Sequence, residues 1–243
     1  MSQYYDPSPT SEFFFDVANR NYPNHSVVTV FGDGTSTTDE STVWNDGGIY
    51  AYPASATQMK VSSDDDGDTQ TVLIEGLDAL WNQVSEQVVL TGQTAKTTTK
   101  SYIRINGLTV ISGVINEGGI YVGTGTVSLG VPTTVYAHAM SGNGKSLSAV
   151  WSVPAGHTAY LISGSLASGT TASNKYVIGK LLVRPFGGTL VANMVTSLAA
   201  VQNSYDFKAP IRIPEKSDIE ARCASSSGAD EVSTHFQFIL VKE

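Results

Sequence analysis

Gly142-Asn143-Gly144-Lys145-Ser146 ends like a phosphate-binding loop. That chemistry needs a first glycine five residues before the Gly-Lys pair, and Ala139 stands there. It also needs a helix opening at the lysine, because the helix N-terminus holds the phosphates. Leu147–Val153 alternates like a strand instead, so a turn is the expectation. Asp64-Asp65-Asp66-Gly67-Asp68 is the densest charge in the chain. Alternate aspartates present oxygens suited to Ca²⁺, but Thr69 replaces the mid-loop glycine that an EF-hand requires. A solvated acidic loop with no metal is expected. His25, His138, His157 and His235 show no metal-ligand spacing on one element, and each reads as a surface or strand residue. Cys223 sits in the strand-like Ile219-Glu220-Ala221-Arg222-Cys223 with no base or oxyanion donor that can be placed beside it, so it reads as a buried structural thiol. Trp44, Trp81 and Trp151 suit either sugar stacking or packing. Packing is expected, with Trp81 the most exposed of the three. No residue pattern points to catalysis, to a bound metal or to a cofactor.

The elements that would position these residues are short strands. Ser101–Ile105, Ser146–Val153 and Val232–Val241 alternate with period two. Leu147 and Trp151 fall on the apolar face of one such strand, and Phe236 and Phe238 on that of another. Gly32-Asp33-Gly34 reads as a turn, and Asn106-Gly107 as a hairpin. Met194, Leu198 and Val201 have helical spacing, which places one short helix at Leu190–Ala200. Alternation argues against a parallel α/β sheet, and the lack of a fixed repeat argues against a propeller. The fold expected is all-β: an antiparallel β-sandwich or jelly-roll with at most one short helix. Residues 1–26 read as an extended N-terminal arm, since Tyr4, Tyr5, Phe13, Phe14 and Phe15 crowd a segment interrupted by Pro7, Pro9 and Pro23. The five aromatics are the candidate partner-binding residues. The best internal boundary is Ser112–Gly119, which divides a β-rich first half, residues 27–115, from a jelly-roll-like sandwich, residues 116–243; the alternative is one continuous domain.

Composition narrows the partners. The chain has 243 residues with 41% hydrophobic and 15% charged, a formal charge of −8 and a pI near 4.9. Net acidity disfavours nucleic-acid binding. No apolar run approaches the ~20 residues of a membrane helix. A charged fraction below the ~25% usual for soluble proteins, with many Ser, Thr and Gly, suits a surface that faces another protein. One cysteine and no secretory-type N-terminus lead to the expectation of assembly in a reducing cytoplasm.

Several turn-and-strand motifs carry a resemblance. They are Val43-Trp44-Asn45-Asp46-Gly47-Gly48 with Tyr50-Ala51-Tyr52-Pro53, Ile74-Glu75-Gly76-Leu77-Asp78, Tyr102-Ile103-Arg104-Ile105-Asn106, Val183-Arg184-Pro185-Phe186-Gly187-Gly188, and Ile213-Pro214-Glu215-Lys216-Ser217-Asp218-Ile219. From Val43 to the end the chain resembles virion structural proteins of tailed bacteriophages, in the style of marine and cyanobacterial phages. The resemblance implies a capsid decoration or cement protein, a dimer or trimer that binds the major capsid protein and braces the head without chemistry. The alternative is a tail or fibre component that binds host-surface glycan through aromatics such as Trp81 or Tyr121.

Overall fold

The computed structural model describes residues 13–169, 174–199 and 202–243. Tyr4 and Tyr5 lie outside them. The described chain is nearly all antiparallel β-structure. Its one α-helix among the described residues is α1, Phe13–Ala18, and sixteen strands follow. They are β1 His25–Ser36, β2 Ser41–Thr42, β3 Thr57–Ser63, β4 Thr71–Leu77, β5 Gln83–Val89, β6 Lys96–Tyr102, β7 Arg104–Ser112, β8 Ile120–Ser128 and β9 Val131–Ala139. The second set is β10 Val150–Ser152, β11 His157–Ser168, β12 Val177–Arg184, β13 Val191–Leu198, β14 Asn203–Ile213, β15 Asp218–Ser225 and β16 Asp230–Lys242.

The strands form four sheets around two hydrophobic cores. Sheets β1-β16-β11-β14 and β10-β15-β12-β13, the latter with β2 on β15, share one core. Sheets β6-β3-β8-β9 and β5-β4-β7 share the other. Four sheets suggest a propeller by number, but they pack two against two, which is sandwich packing. The first sandwich is discontinuous in sequence. Its opening strand β1 pairs with its closing strand β16, from His25 opposite Val241 to Ser36 opposite Asp230. The whole second sandwich is inserted between β1 and β10. If β2 is set aside and the outer strands are numbered one to eight in chain order, the two sheets read 1-8-3-6 and 2-7-4-5.

Several sequence expectations change accordingly. β8 and β9, expected with the second half, pair through β8 with β3, so the chain does not part at Ser112–Gly119. Gly32-Asp33-Gly34 is no turn: β1 runs through it. A side chain at Gly32 would meet the Ala149 Cβ at 2.5 Å and the Val43 carbonyl at 2.6 Å. The glycines let β1 pass against both connections to the inserted unit. Among the described residues of Leu190–Ala200 there is no helix; Val191–Leu198 pairs along β12 as β13. The helix lies instead in the arm that the sequence makes extended. Leu147 is half-buried and precedes β10, whereas Ala149, Trp151 and Val153 enter the core.

Phe236, Phe238 and Leu240 share the inward face of β16, as period-two alternation predicts. Phe238 is fully buried, stacks on Trp151 at 5.6 Å and meets Phe236 edge-on at 5.4 Å. Phe238→Ala is expected to cost about 3–5 kcal/mol, and Phe15→Ala, at an exposed ring, less than ~0.5 kcal/mol. Urea midpoints of the two variants measure the contrast.

Candidate functional site

The two sandwiches meet at a seam built from both connections and from β15. Val43 is buried in the outer core and Trp44 in the inserted one; Trp151 and Val150 divide the same way. The backbones lock together: Val43 N–H donates to the Ala221 carbonyl, Ala221 N–H to that of Ala149, and Ala149 N–H to that of Val43, each at 2.9 Å. Asn106, expected to open a hairpin, lies inside β7. Its side chain donates to the Ser152 carbonyl (2.9 Å) and accepts from the Ser152 N–H (3.0 Å). The amide thus stands in for a missing strand across the seam.

Charge is buried there. Asp218 on β15 is 2% exposed. Arg104 of the inserted unit donates to both its oxygens, at 2.6 and 3.0 Å. Arg184 on β12 donates to Oδ2 at 2.9 and 2.6 Å, and the Ser152 hydroxyl to Oδ1 at 2.6 Å. The Tyr52 ring lies under both guanidiniums, 5.0 Å from Arg104 and 4.2 Å from Arg184. Two residues along β15, fully buried Glu220 accepts from Arg222, Thr42 and the Tyr52 hydroxyl. Arg222 also reaches Glu40, which pairs with Lys180. Burial, then the Glu220 charge, pushes the Tyr52 hydroxyl well above the usual tyrosine range. Asp218 and Glu220 superficially suit acid–base work, but their oxygens are occupied by cations and hydroxyls. The pair holds structure and leaves no base free to take a proton.

Other sequence candidates resolve in the same direction. Trp81, expected to be exposed, is buried: the Arg104 guanidinium covers it at 4.7 Å and Phe186 meets it edge-on at 5.8 Å. Tyr121 is buried too, with its hydroxyl on Asp64 Oδ2 at 3.0 Å. Neither offers a sugar-stacking face. The Asp64–Asp68 loop is not solvated throughout. Asp68 is fully buried and accepts from the Ser63 hydroxyl (2.6 Å), the Gln70 amide (2.9 Å) and the Glu117 and Gly118 N–H groups (2.9 and 3.1 Å). Burial alone would raise its pKa, yet these hydrogen bonds hold it below the ordinary carboxylate value. His138 stacks on Tyr121 at 4.3 Å and faces Asp46 at 3.6 Å; burial lowers its pKa. Gly142–Ser146 makes a turn, with Asn143 N–H on the Met140 carbonyl. Cys223 is buried in the outer core, and burial pushes its thiol up to about 11, which leaves it unreactive.

Two features remain open to a partner. On α1, Phe13 packs edge-on against Tyr22 (5.1 Å) and lies near His25 (6.3 Å), whereas Phe14 and Phe15 are 51% and 69% exposed. Beside β1, a cleft of about 540 Å³ runs between Val27–Phe31 and the inserted unit's β4, β5 and β7. The structure therefore separates the arm's candidates: Phe13 turns inward, Phe14 and Phe15 outward. Arg104, Asp218 and the cleft had no sequence signal, because their partners lie more than a hundred residues apart.

No family model matches the chain, and no curated protein does. Among solved structures it is similar to the VP2 subviral particle of infectious bursal disease virus, with 10% identity over 96% of this chain and 82% of that one and a TM-score of 0.23. For the Gx strain of the same virus the identity is 12%, over 89% and 72%, with a TM-score of 0.25. The exported protein XepA of PBSX gives 16% over 86% of each chain and a TM-score of 0.21. Scores this low assign no fold to the chain.

Two outcomes follow from the buried carboxylates. Asp218→Ala strands two guanidiniums and is expected to cost about 3–5 kcal/mol, read from denaturant midpoints. Because the Asp68 pKa is lowered on folding, its stabilisation is fully present above the unfolded value near ~4 and is lost as pH falls through the folded value. Midpoints measured from pH 5 to pH 2 should therefore fall less steeply in Asp68→Asn than in the native chain.

Proposed function

We propose that this chain is a structural protein of a tailed-phage virion, a head decoration or cement protein that binds the major capsid protein and acts without a chemical step. The observation that carries the reading is the strand order of the outer unit. Two four-stranded antiparallel sheets ordered 1-8-3-6 and 2-7-4-5 describe a double Greek-key jelly-roll, an architecture used by viral capsid and lectin domains. Fold alone does not assign function, so three further features matter. The turn and strand motifs from Val43 onward resemble phage virion proteins. The seam fixes one sandwich against the other through the buried Arg104–Asp218 ion pair, as suits a part that bears load. Phe14 and Phe15 present two adjacent exposed rings on a helix whose third ring is anchored, the arrangement of an interface hot spot. The lectin-like alternative, a tail or fibre part binding glycan, has less support, because Trp81 and Tyr121 are both buried. In the particle the protein acts as a dimer or trimer.

Gold-labelled protein incubated with particles of the cognate phage should decorate heads in electron micrographs; label confined to tails would overturn the head assignment. The double variant Phe14→Ser/Phe15→Ser should lower head occupancy at least tenfold, with a melting temperature within a degree or two of native.

A further inference from the structure

Beyond α1 and the cleft, the inserted unit carries an exposed surface of its own, at the end of its sheets away from the seam. Leu77 on β4 pairs with the seam residue Arg104; six residues earlier, about 20 Å along the strand, Thr71 lies between Val89 of β5 and Ser112 of β7. Five aliphatic side chains stand in water around that far end: Val89, Ile111, Val114, Ile115 and Met140, each between 42% and 72% exposed. Single apolar residues on a surface are ordinary, whereas a connected group marks an interaction site. These connect: a side chain at Gly144 would meet the Ile115 Cγ1 at 3.8 Å, and the Asn116 amide donates to the Met140 carbonyl at 3.0 Å.

The loop that presents them is pinned from below by buried polar side chains. Asn116, 1% exposed, also donates to the Gly118 carbonyl (2.6 Å) and accepts from the Gly144 N–H (3.0 Å). Buried Asp68 accepts from the Glu117 and Gly118 N–H groups and from the buried Gln70 amide. The Ser141 hydroxyl donates to the Glu117 carbonyl at 2.6 Å. Three buried side chains thus order a segment whose own aliphatic groups stay in water, and a surface ordered in advance loses little entropy when a partner binds it. The rim of this tip is acidic. A side chain at Gly118 would meet both Asp64 and Asp65, and Asp66 and Glu117 are exposed beside them. None of these four carboxylates forms an ion pair among the described residues.

We propose, resting on the virion reading, that this tip is a second docking surface for the major capsid protein, which receives it in an apolar depression rimmed by lysine or arginine. The charge selects that occupant. A second copy of the chain would set one acidic rim against another, and like charges brought together at an interface repel. A basic rim answers the carboxylates while the aliphatic side chains supply the apolar area. The seam then gains a use. Phe14 and Phe15 belong to the outer unit and the tip to the inserted one, so the Arg104–Asp218 pair holds two contact surfaces in one register. Two linked contacts reinforce one another, and a brace needs two.

The test uses the full chain and particles of the cognate phage. With benzoylphenylalanine in place of Val114, irradiation should cross-link the protein to the major capsid protein, identified by mass spectrometry. Cross-links confined to tail proteins or to other copies of this chain, or no cross-link at all, would overturn the proposal. The variant Val114→Ser/Ile115→Ser should lower head occupancy at least tenfold with a melting temperature within a degree or two of native; native occupancy would overturn it as well. Neutralising the rim with Asp66→Asn/Glu117→Gln should weaken the dependence of head binding on salt, and an unchanged dependence would remove the basic partner. Native protein that leaves heads bare fails the virion reading and this inference together. Native decoration with an indifferent tip variant fails this inference alone.

Discussion

A carboxylate that folding takes out of water must be paired, and the placement of both sandwiches follows from how Asp218 meets that requirement. Its oxygens are shared between Arg104, which comes from the inserted unit, and Arg184 and Ser152, which come from the outer one. Buried ion pairs seldom stabilise more than a well-packed apolar contact would, since desolvation offsets most of the Coulomb gain. What they do supply is direction. A guanidinium fork accepts a carboxylate in few geometries, and Arg104 is further confined between the rings of Tyr52 and Trp81. Hydrophobic burial alone would let two sandwiches slide on one another; the Arg104–Asp218–Arg184 cluster, with Asn106 on Ser152, permits one register.

The sequence reading was good where a strand's partners leave its pattern alone. The alternation in Val232–Val241 places Phe236 and Phe238 on one face, and that face is the buried one of β16. It failed where a tertiary contact reuses a local signal. Asn106-Gly107 has the composition of a tight turn, yet Asn106 bonds to Ser152 and Gly107 sits opposite Glu75 within β7. Gly32 and Gly34 are small because connections cross over them. Met194 and Leu198 carry helical spacing on an edge strand, where one face meets solvent and the pattern is weakly constrained. The strand order of the outer unit could not be read, because its first and last strands, two hundred residues apart, adjoin.

The seam was illegible for the same reason. Arg104 and Asp218 stand 114 positions apart, and neither residue is unusual in its own segment. Trp81 lies at a turn, where its backbone takes a left-handed conformation with φ of 68°. The turn is exposed; the ring is covered by Arg104 of its own unit and by Phe186 of the outer one. The aromatic arm was visible by composition, but its division into an inward Phe13 and outward Phe14 and Phe15 depends on Tyr22 and His25, which the turn after α1 brings back.

Insertion of one sandwich between the first two strands of the other also sets an order of events during synthesis. β1 leaves the ribosome some two hundred residues before β16, the strand it pairs with among the described residues. At typical translation rates of ~5–20 residues per second, the two hundred residues between them take roughly 10–40 s. In that interval the inserted unit, whose seven strands β3–β9 are contiguous, can complete its sheets, whereas Val27–Phe31 waits as an unpaired β-branched segment. Non-local pairing of this kind is the slow step in β-protein folding and the one most exposed to aggregation. The outer sandwich therefore closes last, around an inserted unit that has already formed, and the nascent chain's greatest hazard is its own first strand.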